Sequence, residues 1–262
     1  MRESFLNELP NSNNSDSNRV DFTLAKYSEL LEALKTYTFE SLILRHDVDL
    51  KPANSLRTAQ IEAKKGLLGI YYFRAVPESW DEEIIKQITL LGHEIGYHYE
   101  SLTTCDGDVD KAYDDFCKNL EALRKLVPVR SICMHGSPRS PFDSKDIWKK
   151  YDYHKLGIEN EPYLDTDFSK TFYLTDTGRR WDGYKVSVRD KIPQYQDQWN
   201  EQGLTFHSTD DIIEGLQKGN IPKRLMLTVH PQRWNPFGTV WCKELLLQNV
   251  KNIVKRVIVR SK

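Results

Sequence analysis

Asp47-Val48-Asp49 sets two carboxylates two residues apart, just after the apolar run Leu42-Ile43-Leu44. At the end of a buried strand both would project into one region, where one can hold a cation and the other, close to that charge, can act as a base. A D-x-D alone is weak, because Asp is common in strand-end turns and the same pair occurs in metal-dependent glycosyltransferases. A second cluster, Gly92-His93-Glu94-Ile95-Gly96-Tyr97-His98-Tyr99-Glu100, offers imidazole and carboxylate, a donor set suited to zinc or a similar first-row ion. His93 precedes its strand and reads as a hydrogen-bonded histidine. His98 ends the strand and reads as a ligand. His135 and His230 each follow a further apolar run.

The elements that must position these residues alternate along the chain. The short apolar run Leu42 to Leu44 suits a strand buried on both faces, and Ile70 to Phe73, Glu94 to His98, Val129 to Met134 and Leu225 to Val229 read as further strands. Between them, apolar residues recur at helical spacing from Leu24 to Leu34, Ala53 to Leu67, Ile84 to Leu91, Ala112 to Leu123 and Asp210 to Leu216, with a long terminal helix at Trp241 to Val257. The middle, Tyr151 to Gln202, is the least patterned, with one strand expected at Lys185 to Val188. Strand alternating with helix implies a parallel sheet with right-handed crossovers, and a barrel-like closure puts catalytic groups at the C-terminal strand ends.

HDVD after a buried strand, then GHEIGYH, then LMLTVH ending in His230, resembles the polysaccharide deacetylases of the NodB-homology type over roughly residues 40–235. HGSP, LTDTGRRW and VHPQRW are similar to a subfamily linked to surface-polysaccharide (O-antigen) biosynthesis. The resemblance implies an α/β fold of the incomplete, seven-stranded (β/α) barrel kind over residues 21–262, following a disordered arm at residues 1–20. It implies a divalent metal, zinc, and a hydrolase that removes an N-acyl group, acetyl above all, from an amino sugar. Asp47 then stands for the base, Asp49 and His98 for metal ligands, and His230 for the general acid. A base and an acid with opposite duties predict a bell-shaped rate profile.

One position departs from the family. Its second metal histidine lies four residues after the first, where this chain has Leu102. Catalytic zinc takes three protein ligands, which leaves Glu100 and His135 as substitutes. Glu100 shares a side with His98 if the segment stays extended. His135 ends a neighbouring strand and reaches inward without a bend in the loop, which favours it. Arg139-Ser140-Pro141-Phe142 matches the spelling of the family's third motif but falls beyond the strand end.

For substrate binding, Arg179, Arg180 and Trp181, with Arg189 and Trp234, combine forked cations with flat aromatic faces suited to a sugar or nucleotide-sugar. The alternative for this segment is a solvated loop with a structural tryptophan. The 262 residues carry a net charge of −1 and no basic run, which argues against a nucleic-acid partner. No stretch of about 18 apolar residues suggests a membrane span. The polar start lacks a secretory layout, and Cys105, Cys117, Cys133 and Cys242 form no C-x-x-C, so a cytoplasmic protein with reduced thiols is expected. Two rival readings stand beside the deacetylase: a D-x-D glycosyltransferase, and a sugar-binding barrel that has lost catalysis.

Overall fold

The computed structural model of the chain describes residues 20–137, 140–185, 187 and 189–260. The arm expected at residues 1–20 falls, but for Val20, outside the described residues, as does Arg139. Helix α1, Leu24–Thr36, is started by Thr23, whose hydroxyl accepts the Lys26 N–H. Strand β1 is Ser41–Val48, and α2, Pro52–Lys65, carries proline in its first turn and stops at Gly66, whose φ of +74° suits a residue without a Cβ. There follow β2 (Ile70–Phe73), α3 (Glu82–Leu90), β3 (Glu94–Tyr99), the single turn α4 (Ser101–Thr104), α5 (Val109–Arg124) and β4 (Val129–Met134). The short α6 (Pro162–Asp165) leads to β5 (Phe172–Thr175). Last come α7 (Pro193–Glu201), α8 (Thr209–Gln217), β6 (Arg224–Val229) and α9 (Thr239–Arg260).

The strands form one parallel sheet in the order β4-β3-β2-β1-β6-β5. The α/β class and parallel pairing are as expected, but the described residues contain six strands rather than seven. β4 and β5 are the two edges, and among the described residues no ladder joins them into a barrel. The strand expected at Lys185 to Val188 is absent at the described positions there. Gly183–Lys185 is a 3-10 turn, and the Lys185 and Ser187 amides donate to the Asp182 and Gly183 carbonyls instead of to a neighbouring strand. The strand of this region is β5, ten residues or so upstream in the unpatterned middle.

Two apolar clusters lie side by side on one face of the sheet. One joins Tyr27, Leu30 and Leu34 of α1 to Leu225, Leu227 and Trp234, so it combines both ends of the chain and does not divide near residue 150. The other packs Tyr97, Tyr99 and Ile132 against Ile85 and Phe116. The remaining sheet face is polar. Asp47 pairs in register with Tyr72, and Tyr72 with Gly96, so they share that face. Gly96 lets the Tyr72 ring cross β3 to reach the Ser131 hydroxyl at 2.5 Å, because a Cβ there would sit 2.3 Å from the ring.

A buried charged network ties α2 to the sheet. His46 stacks on Tyr71, with centroids 4.0 Å apart, and lies 2.7 Å from the Glu62 carboxylate, which also accepts from the Tyr27 and Tyr71 hydroxyls. His93 belongs to the same region: its Nδ1 accepts the Gly69 N–H and its Nε2 lies 2.9 Å from the Ala59 carbonyl, a satisfied core histidine. Burial opposes ionisation of Glu62, but His46, His93 and Tyr27 hold its carboxyl below the usual value of 4.5. A depressed folded-state value means the contribution is present above the unfolded pKa and is lost as pH falls through the folded one. Glu62→Gln is expected to lower stability at neutral pH by about 3 kcal/mol, since it leaves buried partners unpaired. Urea unfolding of the variant should also show a flatter loss of stability on acidification than wild type.

Candidate metal centre

The parallel topology brings strand ends together. Asp47 ends β1 and Asp49 lies just beyond it, His98 sits near the end of β3, and His135 and His230 follow β4 and β6. All five line one cavity of about 150 Å³.

Asp49 Oδ1 lies 3.6 Å from Nε2 of both His98 and His135, and the two rings meet edge to face with centroids 5.1 Å apart. His98 Nδ1 is 2.9 Å from the Cys133 carbonyl, and His135 Nδ1 is 2.8 Å from Glu100 Oε2. These acceptors place a proton on each Nδ1 and turn each Nε2 lone pair toward the cavity. Asp49 Oδ2 accepts from Gln232 at 3.0 Å, whereas Oδ1 is buried without a hydrogen-bond partner. An orphaned buried carboxylate oxygen facing two imidazole nitrogens is costly unless a cation satisfies it. Asp49, His98 and His135 can thus hold a metal ion, their ligand atoms lying within 4.8 Å of one another. Burial alone would raise the Asp49 carboxyl, yet with no cation between them the three surrounding histidines, as imidazolium, hold it well below the carboxylate range.

Asp47, His98 and Cys133 form a second group of suitable spacing. It is the poorer site. Burial pushes the Cys133 thiol well above its usual range, and a thiol must ionise to bind metal. Asp47 is already held by both prongs of the Arg45 guanidinium, at 2.8 and 2.6 Å. Arg45 in turn packs against the Tyr163 ring, 4.7 Å from its centroid.

Glu100 stands behind His135, outside the ligand group. The extended backbone ends at this residue, with φ −138° and ψ 21°, so the alternation that would carry Glu100 beside His98 no longer applies. Arg74 holds the carboxylate from behind at 2.7 Å. Against the effect of burial, His135 and Arg74 bring its pKa down to about 2. As an orienting partner, Glu100 should be worth about tenfold in zinc affinity, the low end of such effects. Titration of zinc into Glu100→Ala checks this.

On the far side of Asp49, His230 Nε2 lies 3.9 Å from Asp49 Oδ2 and 4.0 Å from Asp190 Oδ2. Its Nδ1 is 2.6 Å from Asp176 Oδ1. Asp176 is fully buried and also accepts the His230 N–H, Arg233 Nη1 at 2.8 Å and Trp234 Nε1 at 2.7 Å. Burial would raise this carboxyl, but Arg233 and His230 hold it below its ordinary value.

The expected substrate residues divide. Arg189 lines the cavity, donating to the Ser137 and Ser140 carbonyls. Arg179 does not: it packs between the Phe22 and Trp241 rings and donates to the Trp241 carbonyl. Arg180 pairs with Asp182 at 2.8 Å, away from the cavity lining. Trp181 and Trp234 are buried core residues, so neither offers a flat face to a sugar; Trp181 donates to Thr209. The turn after Asp176, with Gly178 and Arg179 both at positive φ, carries this segment off the cavity. Arg45 and Tyr163 gained no role from the sequence, and neither did Asp176 as the partner of His230. Asp176 had a readable signal, since Phe172-Tyr173-Leu174-Thr175 followed by Asp repeats the pattern of the first motif.

Compared with known proteins, the chain matches no family model and no curated protein.

Proposed function

We propose that the protein is a zinc-dependent amide hydrolase that removes an acyl group, acetyl above all, from the nitrogen of an amino sugar. One observation carries this reading. An Asp-His-His group fit for a cation lies 3.9 Å from Nε2 of a histidine whose other nitrogen is fixed by a buried aspartate. Two imidazoles and a carboxylate are a donor set that suits zinc. A divalent ion held by Asp49, His98 and His135 would supply Lewis-acid polarisation of the acyl carbonyl and lower the pKa of water beside it.

The chain's own groups then divide the proton transfers. Asp47, oriented by the Arg45 fork and 3.8 Å from His98 Nε2, takes a proton from the attacking water. The hydroxyl oxygen bonds to the acyl carbon, and the carbon–nitrogen bond breaks. His230 delivers a proton from Nε2 to the leaving nitrogen, while Asp176 at Nδ1 fixes the tautomer and supports the charged ring. The products are a carboxylate and a free amine. Arg189, on the cavity wall, keeps guanidinium protons beyond those it gives to Ser137 and Ser140 and offers them to sugar hydroxyls.

Proton NMR of N-acetylated amino sugars, free, nucleotide-linked and oligomeric, incubated with the zinc-loaded protein tests the reading. Acetate and free amine should appear in equal amounts with at least one class, and Asp49→Asn should abolish both. Release of a nucleoside diphosphate would make the protein a transferase. Saccharide binding without turnover would make it a binding module.

A further inference from the structure

Helix α9 is amphipathic in the inverse sense. Its polar side faces the protein: Gln248 and Asn252 are buried, Gln248 donates to Asn252, and Asn252 donates to the Gly178 carbonyl at 2.8 Å. Glu244 pairs with Lys51 at 2.9 Å, and Trp241 Nε1 donates to the Asp21 carbonyl. Its apolar side faces water. Leu246, Leu247, Val250 and Ile253 are 67, 57, 61 and 63 % exposed. At 3.6 residues per turn these four cover an arc of roughly 120°, opposite the side carrying Gln248 and Asn252. Covering apolar side chains of this size removes them from water and is favourable, so a partner that buries the whole face gains from all four at once.

Charge selects the partner. Along α9 the sequence carries Lys243, Lys251, Lys255, Arg256 and Arg260 against one acid, Glu244, which Lys51 already neutralises. Two copies of so basic a helix repel one another when aligned. The 3-4 spacing that a helix pair needs runs through positions 246, 250, 253 and 257 and is bounded by Lys243 and Arg260, short of the roughly three heptads that sustain a coiled coil. An anionic bilayer accepts both features, apolar side chains at the acyl boundary and cations among the headgroups. No helix among the described residues is long and apolar enough to cross a membrane, so the contact is one of a helix lying on the surface.

We infer that α9 docks the protein on an anionic lipid surface through Leu246, Leu247, Val250 and Ile253. The helix rests on Lys51, beyond β1, and on Gly178, beyond β5, at the same end of the sheet as the cavity. Docking therefore brings the catalytic end of the sheet to the headgroup layer.

Co-sedimentation of the full chain with vesicles tests the inference. Vesicles of phosphatidylglycerol mixed with phosphatidylcholine should carry the protein down. Pure phosphatidylcholine, or molar salt with the anionic vesicles, should weaken partitioning by more than about tenfold. Val250→Glu and Leu247→Glu should each weaken it by at least about tenfold while leaving circular dichroism and Tm unchanged, because both positions are exposed. Failure to sediment with anionic vesicles overturns the inference, as does binding that neither substitution alters. A concentration-dependent dimer in analytical ultracentrifugation that Val250→Glu dissolves would overturn it in favour of a second copy.

Discussion

Replacing His135 with alanine is expected to weaken zinc binding by about 10²–10³-fold. The figure follows from apparent affinities of roughly 10–16 kcal/mol for structural zinc sites with four protein ligands, about 3 kcal/mol for each ligand. The loss is large because the described residues beside His135 are poor substitutes. Leu102 carries no donor, Glu100 is held by Arg74, and Cys133 keeps its proton. Amide hydrolysis under limiting zinc falls further, on the order of 10⁴-fold, since the Lewis acid supplies several kcal/mol of transition-state stabilisation. Isothermal titration and turnover measured on one preparation separate the two effects. His135→Ala that binds zinc as wild type does would remove His135 from the ligand group and reopen the place left by Leu102.

Replacing His230 with alanine is expected to lower kcat on an N-acetyl amine by about 10²–10⁴-fold, the usual worth of a positioned general acid. Zinc affinity should barely change, because His230 approaches Asp49 from the side away from His98 and His135. The diagnostic contrast is the leaving group. An aryl acetate expels a stable phenolate that needs little protonation, so His230→Ala should be far less impaired on that ester than on the amide. Asp176→Asn should follow the same pattern, since an amide at Nδ1 no longer fixes the imidazole or balances its charge. Equal losses on amide and ester would assign His230 a binding role.

Most of the frame was legible because it is written in long periodic signals. β1 to β4 and β6 are apolar runs with turn signals at their edges, and the helices between them keep a 3.6 period. A parallel sheet gathers its C-terminal strand ends, so the sequence alone points strand-end Asp47, Asp49, His98, His135 and His230 toward one another. Legibility failed where local chemistry overrode the pattern. β5 has only four residues and sits among Asp, Tyr and Arg, so its period was hidden, and with it Asp176 as the partner of His230. The apolar-polar alternation at Lys185 to Val188 imitated a strand, but its described amides close a tight turn. Glu100 was read by strand alternation one residue past the point where that alternation stops. Trp181 and Trp234 were read as sugar platforms, whereas burying their large rings stabilises the core more than exposing them would.

The central claim is that amide hydrolysis depends on an ion held by Asp49, His98 and His135. Adding zinc stepwise to chelator-stripped protein, while recording bound metal and acetate release from one sample, tests it most directly. The two curves should rise together and saturate at one ion per chain, with Asp49→Asn flat in both. Acetate release by the metal-free protein, or full loading of the site with no release from any N-acetylated sugar, would contradict it.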